Sequence, residues 1–325
     1  MKKKLTSYLF LIGIILFLAI VWTIGIDKIL ATILGVDLFY FAIALVFVLL
    51  LLAIKAMKWK ILLEAFDVNI SFIDIAKLWL IGFFLGFLSP GKVGDFYRAR
   101  YLKQDTGLST GKSFASVMVE RILDIFFLFI AGFVGLIIFS FSFQLQESML
   151  FLVVAFFLAF VAVVYLLTRR KLLSTLARPF FNRFVPEEYK DRLKGSYNEF
   201  FEGLKVYKGK KSILVKAVIL LLISWVLNFV QVYFIALAFG INVSFEFLSL
   251  ILPILFLVEI LPISFSGLGT RDAAAIFFLG FKLVPAELAV SFSLGIVIVN
   301  LFSALLGLGF FNLRKMKEVQ KPAQK

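Results

Sequence analysis

Ser89-Pro90-Gly91-Lys92-Val93-Gly94-Asp95 and Ser264-Phe265-Ser266-Gly267-Leu268-Gly269-Thr270-Arg271-Asp272 each interrupt a long apolar stretch with glycine and charge. In hydrocarbon every backbone N–H and C=O has to be satisfied within the protein, so a broken helix persists only where it is buried or lines a wet cavity. Paired breaks at corresponding places in two halves of a chain are a sign of a midplane site in solute-moving membrane folds. These two turns therefore predict a cavity.

The rest of the chain agrees with a membrane setting. Of 325 residues, 62% are hydrophobic and 17% charged, with a mean hydropathy of +1.05, far above a soluble domain. There are no cysteines and no histidines, which removes disulfides, thiol nucleophiles, imidazole bases and the usual zinc ligands. No cofactor or metal is expected, and carboxylate, Lys/Arg and hydroxyl chemistry remains. The net charge of +14 is distributed between apolar spans, so membrane lipids with anionic head groups are the expected partners and nucleic acid is not.

A membrane-crossing helix needs about 20 apolar residues. Six segments qualify: Leu5 to Ile24, Val36 to Ile54, Phe114 to Phe139, Met149 to Leu167, Ile213 to Phe239 and Pro285 to Phe311. The first follows Met1-Lys2-Lys3-Lys4 but lacks a small-residue cleavage site, so it reads as a retained helix. The broken segments, near Phe72 to Leu102 and Phe245 to Phe281, are either hairpins or full crossings. Loop charge decides, because short loops rich in Lys/Arg stay cytoplasmic. With two hairpins, 28 of the 34 Lys and Arg fall on the cytoplasmic face, Lys55, Lys58 and Lys60 among them, with both termini and the basic loop 168–212. Two full crossings would instead send twelve basic residues of that loop outside. The expectation is an all-α polytopic protein of about six full transmembrane helices and two re-entrant broken hairpins. It forms one domain over residues 1–325, with inverted half-repeats at about 36–141 and 213–312. Within the basic loop, Tyr189, Leu193, Tyr197, Phe200, Phe201 and Leu204 recur at helical spacing, as in a helix on the membrane surface.

Charge inside a span costs about 2.5 to 3.5 kcal/mol at a helix centre and requires a reason. Glu120, Arg121 and Asp124 lie within the third long span. Their spacing allows Arg121 to pair with Asp124, giving either a self-neutralising structural cluster or a polar wall for a head group. At the first turn Gly91 and Gly94 permit a tight bend, and Lys92, Arg98 and Arg100 add positive charge suited to phosphate, or merely mark the cytoplasmic face. Asp95 closes that turn. At the second turn Gly267, Gly269, Arg271 and Asp272 repeat the chemistry between apolar flanks, which gives Arg271 less access to the interface. Glu259 and Asn300 are weaker candidates, each explicable as an interhelical hydrogen bond. Gly107-Leu108-Ser109-Thr110-Gly111-Lys112-Ser113 is one residue short of a phosphate-binding loop and follows no strand, so it is set aside.

Leu88 to Arg98, Ser116 to Asp124 and Leu261 to Ala274 together resemble the signature blocks of the lysylphosphatidylglycerol synthase transmembrane, or flippase-like, family. The resemblance covers nearly the whole chain, with Asp95 where that family more often carries Glu. It implies a domain that moves a modified lipid between leaflets. The chain resembles that domain alone, without the soluble aminoacyltransferase, so aminoacyl transfer is not implied. The expected function is translocation or binding of a polar-headed lipid: an aminoacylated phospholipid, a glycolipid or a polyprenyl-phosphate sugar. The alternative is a membrane enzyme or accessory subunit of glycolipid or polyprenyl-phosphate metabolism, although no nucleotide, metal or thiol motif supports one. The expected substrate-binding residues are Gly91, Lys92, Gly94, Asp95, Arg98, Glu120, Arg121, Asp124, Gly267, Gly269, Arg271 and Asp272.

Overall fold

The computed structural model describes residues 2–144, 155, 158, 162, 187–261 and 263–320. It is helical, with no strand among the described residues. In chain order the helices are α1 (Lys2–Ile24), α2 (Ile26–Leu34), α3 (Leu38–Leu63), α4 (Phe72–Phe87), α5 (Tyr97–Thr106) and α6 (Thr110–Ser142). They continue as α7 (Glu187–Gly209), α8 (Lys211–Ala238), α9 (Phe245–Ile260), α10 (Thr270–Gly280) and α11 (Ala286–Gln320).

Helix starts are set by short polar side chains that satisfy the otherwise unpaired first N–H groups. The Asp37 carboxylate accepts from Phe39 N at 2.9 Å, and the Ser71 hydroxyl accepts from Asp74 N at 3.1 Å. Ser109 does the same for Lys112 and Ser244 for Phe247. Among the described residues, four helices are long and apolar enough to cross a membrane: Leu38–Phe66, Thr110–Ser142, Lys211–Ala238 and Ala286–Met316. Their outer faces carry exposed aliphatic residues such as Leu49, Leu222 and Val226, as lipid contact requires. The chain is an integral, multi-pass membrane protein.

Two elements differ from the expected pattern. The first helix turns through 87° where α1 meets α2, because Gly25 adopts φ +95°. The pair makes a fifth crossing if counted as one span. Helix α7 does not merely rest on the membrane surface. It docks on α6, with Gly203 close to Ala115, Glu199 accepting from Gly111 N at 3.2 Å, and the buried Tyr207 donating to Leu62 O at 3.0 Å. Burial, reinforced by the negative charge of Glu120, pushes the Tyr207 phenol above its ordinary pKa. Of the expected span from Met149 to Leu167, all but residues 155, 158 and 162 lie outside the described residues.

The order of element lengths repeats. A long helix, a 16-residue helix, a turn, a helix of 10 or 11 residues and a second long helix make up α3 to α6 and again α8 to α11. The packing follows the same correspondence: α3 lies against α8, α4 against α11, and α6 against α9. Each broken segment is thus held by the last long helix of the other half. The largest core cluster forms where α6, α8, α9, α10 and α11 meet, and Phe139 is its hub, with ring centroids 5.2 Å from Phe278 and 5.0 Å from Phe281. Edge-to-face pairs of this kind add about 0.5 to 1.5 kcal/mol each beyond burial.

Candidate functional site

The first turn is built by Ser89. Its hydroxyl donates to Gly86 O at 3.0 Å and accepts from Gly94 N at 2.7 Å, while its carbonyl accepts from Lys92 N. Lys92 is left with φ +56°, a conformation that costs an L-residue roughly 1 to 2 kcal/mol. Gly82 and Gly86, one turn apart on α4, leave room for the side chains of Arg98 and Asp95. A side chain at Gly82 would meet Arg98 Cδ, and one at Gly86 would meet the Asp95 carboxylate. Gly94 has its backbone against that of Leu85. The turn therefore folds back on α4 and carries Asp95 and Arg98 into the protein.

There they meet α6. Arg98 donates to Glu120, and Arg121 pairs with Asp95. Lys58 of α3 lies 2.8 Å from Asp124 and 3.6 Å from Glu120. The expected pairing of Arg121 with Asp124 is not formed. Each charge of the α6 triad takes its partner from another element, so the cluster cross-links helices rather than neutralising itself. Lys58 is a second correction: counted by sequence with the cytoplasmic charges, it is fully buried. Trp59 and Trp79 frame the network. Arg98 lies 4.4 Å from the Trp59 ring centroid, and the Trp79 indole approaches Glu120 at 3.4 Å. Arg98 Nε and Nη1 and Arg121 Nε are buried without a hydrogen-bond acceptor.

The second turn is more completely satisfied. Ser266 and Gly267 have φ +47° and +80°, and Gly269, with φ +83°, has its N–H donating to the Asp272 carboxylate at 2.8 Å. Arg271 is fully buried. It donates to Glu259 at 2.7 Å, to the Ser293 hydroxyl at 3.0 Å and to the Ser293 carbonyl at 2.9 Å. Ser293 donates in turn to Asp272. Helix α1 seals the outside of this turn: Gly13 N donates to Ile263 O at 3.0 Å, and Gly269 sits against the Gly13 backbone.

The two turns touch. Lys92 reaches Glu259 at 2.9 Å, and the Ser266 hydroxyl donates to Phe87 O at 3.2 Å. Beside this junction is a cavity of about 320 Å³. Its lining combines charge, from Lys55, Lys92, Asp95, Arg121, Asp124 and Glu259, with aromatic rings, from Trp79, Phe83, Phe87, Phe129, Trp225 and Phe256. Of the expected site residues, Lys92, Asp95, Arg121 and Asp124 line it. Arg98, Glu120, Arg271 and Asp272 stand behind the wall, while Gly94, Gly267 and Gly269 shape the turns. Gly91 lies within the first turn, over 90–96.

Glu259, ranked low by sequence, is the residue common to both turns. Lys55 and Lys58 were counted only as cytoplasmic charges, and Trp79, Trp225 and Ser293 were not singled out. The spacing of Lys55 and Lys58 was a usable signal, since i, i+3 places two lysines on one face of an otherwise apolar helix. Among the described residues no group of His, Cys, Asp or Glu could hold a metal ion.

A UPF0104 membrane protein of Methanocaldococcus jannaschii is 27% identical over 322 residues, covering 94% of this chain and 95% of that one. One from Methanothermobacter thermautotrophicus is 25% identical, covering 86% of each chain. Another, from Pyrococcus horikoshii, is 25% identical, covering 84% of this chain and 85% of its own. The family model described as the lysylphosphatidylglycerol synthase TM region matches residues 9–307, both turns and the charged helix between them included, and the chain belongs to that family.

Proposed function

We propose that this protein binds a lipid with a polar head group and moves it between leaflets. The observation that carries this reading is the mixed lining of the cavity. Its charged side chains can replace water around a head group, and its aromatic rings can take the adjoining acyl or prenyl carbons, at a junction of two broken segments. The family description names a lysylphosphatidylglycerol synthase, which puts lipids of that general kind among the candidates.

In this reading the two broken segments are re-entrant, and six full crossings surround them. The halves 36–141 and 213–312 are inverted repeats. The cross-packing of α4 on α11 and α6 on α9 supports the repeat. Both termini and the loop 168–212 lie in the cytoplasm of a cell-membrane protein, as the distribution of Lys and Arg favours.

The test is reconstitution in liposomes with a leaflet-selective assay of labelled phospholipid. Wild type should accelerate exchange over empty liposomes, and Met118→Trp, which adds bulk to the cavity wall, should reduce it. Equal rates for wild type, Met118→Trp and empty liposomes would end the reading.

A further inference from the structure

The sequence assigns anion recognition to Lys92, Arg98 and Arg271, yet each of these has a carboxylate partner: Glu259, Glu120 and Glu259 again. Around the two turns six cations, Lys55, Lys58, Lys92, Arg98, Arg121 and Arg271, meet five carboxylates, Asp95, Glu120, Asp124, Glu259 and Asp272. Every one of the five is engaged, Asp272 by Ser293 and the Gly269 N–H. Among the described residues Lys55 has no carboxylate within ion-pair reach. Its ammonium lies 5.7 Å from the Trp79 ring centroid, in the cavity wall. The Trp225 ring also lines the cavity, fixed by Phe127 at 5.3 Å and Phe256 at 5.6 Å.

A cavity with one unpaired ammonium and no unengaged carboxylate is complementary to a ligand that brings negative charge. It is poorly matched to one that brings a further ammonium, because burying an uncompensated like charge is costly. We infer that Lys55 is the counter-ion of the head group, and that the cavity selects phosphoryl head groups of net negative charge over aminoacylated, net positive ones. This rests on the lipid-cavity reading above and narrows its substrate class.

Titration of the full-length protein by native mass spectrometry tests it. The probes are dioleoyl phosphatidylglycerol, its lysyl ester, dioleoyl phosphatidylcholine and glycerol 1-phosphate. Phosphatidylglycerol should bind best and the lysyl ester at least about tenfold more weakly. Lys55→Gln should weaken phosphatidylglycerol about tenfold, Lys55→Arg should retain it, and the exposed control Lys216→Gln should leave it unchanged. Equal or tighter binding of the lysyl ester, or an unchanged affinity in Lys55→Gln, overturns the inference while leaving a lipid site standing. Should Lys55→Gln fail to accumulate, the comparison of the two lipids on wild type still decides. Glycerol 1-phosphate binding as tightly as the lipid, and lost in Lys55→Gln, would support the anion assignment but overturn the lipid reading. Retention of no probe would overturn both.

Discussion

The first turn, over 89–95, and the second, over 264–272, use similar residues to different ends. Both bend on left-handed backbone and glycine, and both bring an arginine and an aspartate inside. Around the second turn the guanidinium of Arg271 meets Glu259 and both oxygens of Ser293, Asp272 caps its own helix, and α1 closes the outside. Around the first turn the polar atoms are less fully matched. Arg98 and Arg121 retain unmet N–H groups, and Lys92, Asp95 and Arg121 face the cavity. Similar chemistry is a fully paired anchor in one half and a less fully paired, cavity-lining surface in the other. Saturation of hydrogen bonds, rather than residue type, marks which is which.

The largest effect should come from the anchor. Arg271→Gln removes the cation beside Glu259 in a fully buried site, at a cost of about 3 to 5 kcal/mol. That is a large fraction of an ordinary stability margin, so the variant should accumulate poorly and lose its monodisperse peak in size-exclusion chromatography. A well-folded Arg271→Gln with impaired lipid movement alone would place the working surface at the second turn and reverse the comparison.

Lys58 sharpens the contrast within the first cluster. Lys58→Met should destabilise by about 2 to 3 kcal/mol by leaving Asp124 unpaired. The double variant with Asp124→Leu should recover most of that loss in thermal unfolding, since a buried pair replaced as a unit is often neutral. No recovery would mean that Glu120, 3.6 Å away, is the true partner of Lys58. Gly94→Ala tests the fold-back of the same turn. A methyl group there meets the Leu85 carbonyl, with no side chain able to move aside, for about 1 to 3 kcal/mol. A loss in melting temperature no larger than from Gly309→Ala, where nothing lies nearby, would show that α4 and the turn are not closely packed.

Much of this architecture was legible because its signals are local. Glycine and charge within an apolar stretch located both turns, and the three charges of α6 stood out against Phe and Leu. Pairing was not legible. The i, i+3 spacing of Arg121 and Asp124 permits a bond, but Asp95 and Lys58 arrive from other elements and compete successfully, which no spacing along α6 reveals. Lys58 looked like a loop charge because it follows an apolar run, whereas the close packing of α3, α4 and α6 buries it. Gly82 and Gly86 carried readable information of another kind. Glycines four apart on an apolar helix mark a close approach, here by the turn's own Asp95 and Arg98 rather than by another membrane-spanning helix.

The smallest expected effect belongs to Lys92, the ion-pair link between the turns. It is 31% exposed, and Glu259 keeps Arg271 when Lys92 is lost. A partly solvated ion pair contributes about 1 kcal/mol or less, so Lys92→Gln should barely move the melting temperature. Lys92→Gly should be more stable than Lys92→Gln by about 1 kcal/mol, because glycine relieves the cost of φ +56°. Position is where Lys92 should matter. The chain contains no cysteine, so a pair introduced at Val93 and Leu268 reports the distance between the turns without background. Its crosslinking yield should fall in Lys92→Gln, while Ser266 alone still ties the second turn to Phe87. If Lys92→Gln instead lost as much stability as Arg271→Gln, the first turn would be as much an anchor as the second. An unchanged crosslink would mean that the Ser266 bond, and not the ion pair, holds the two turns together.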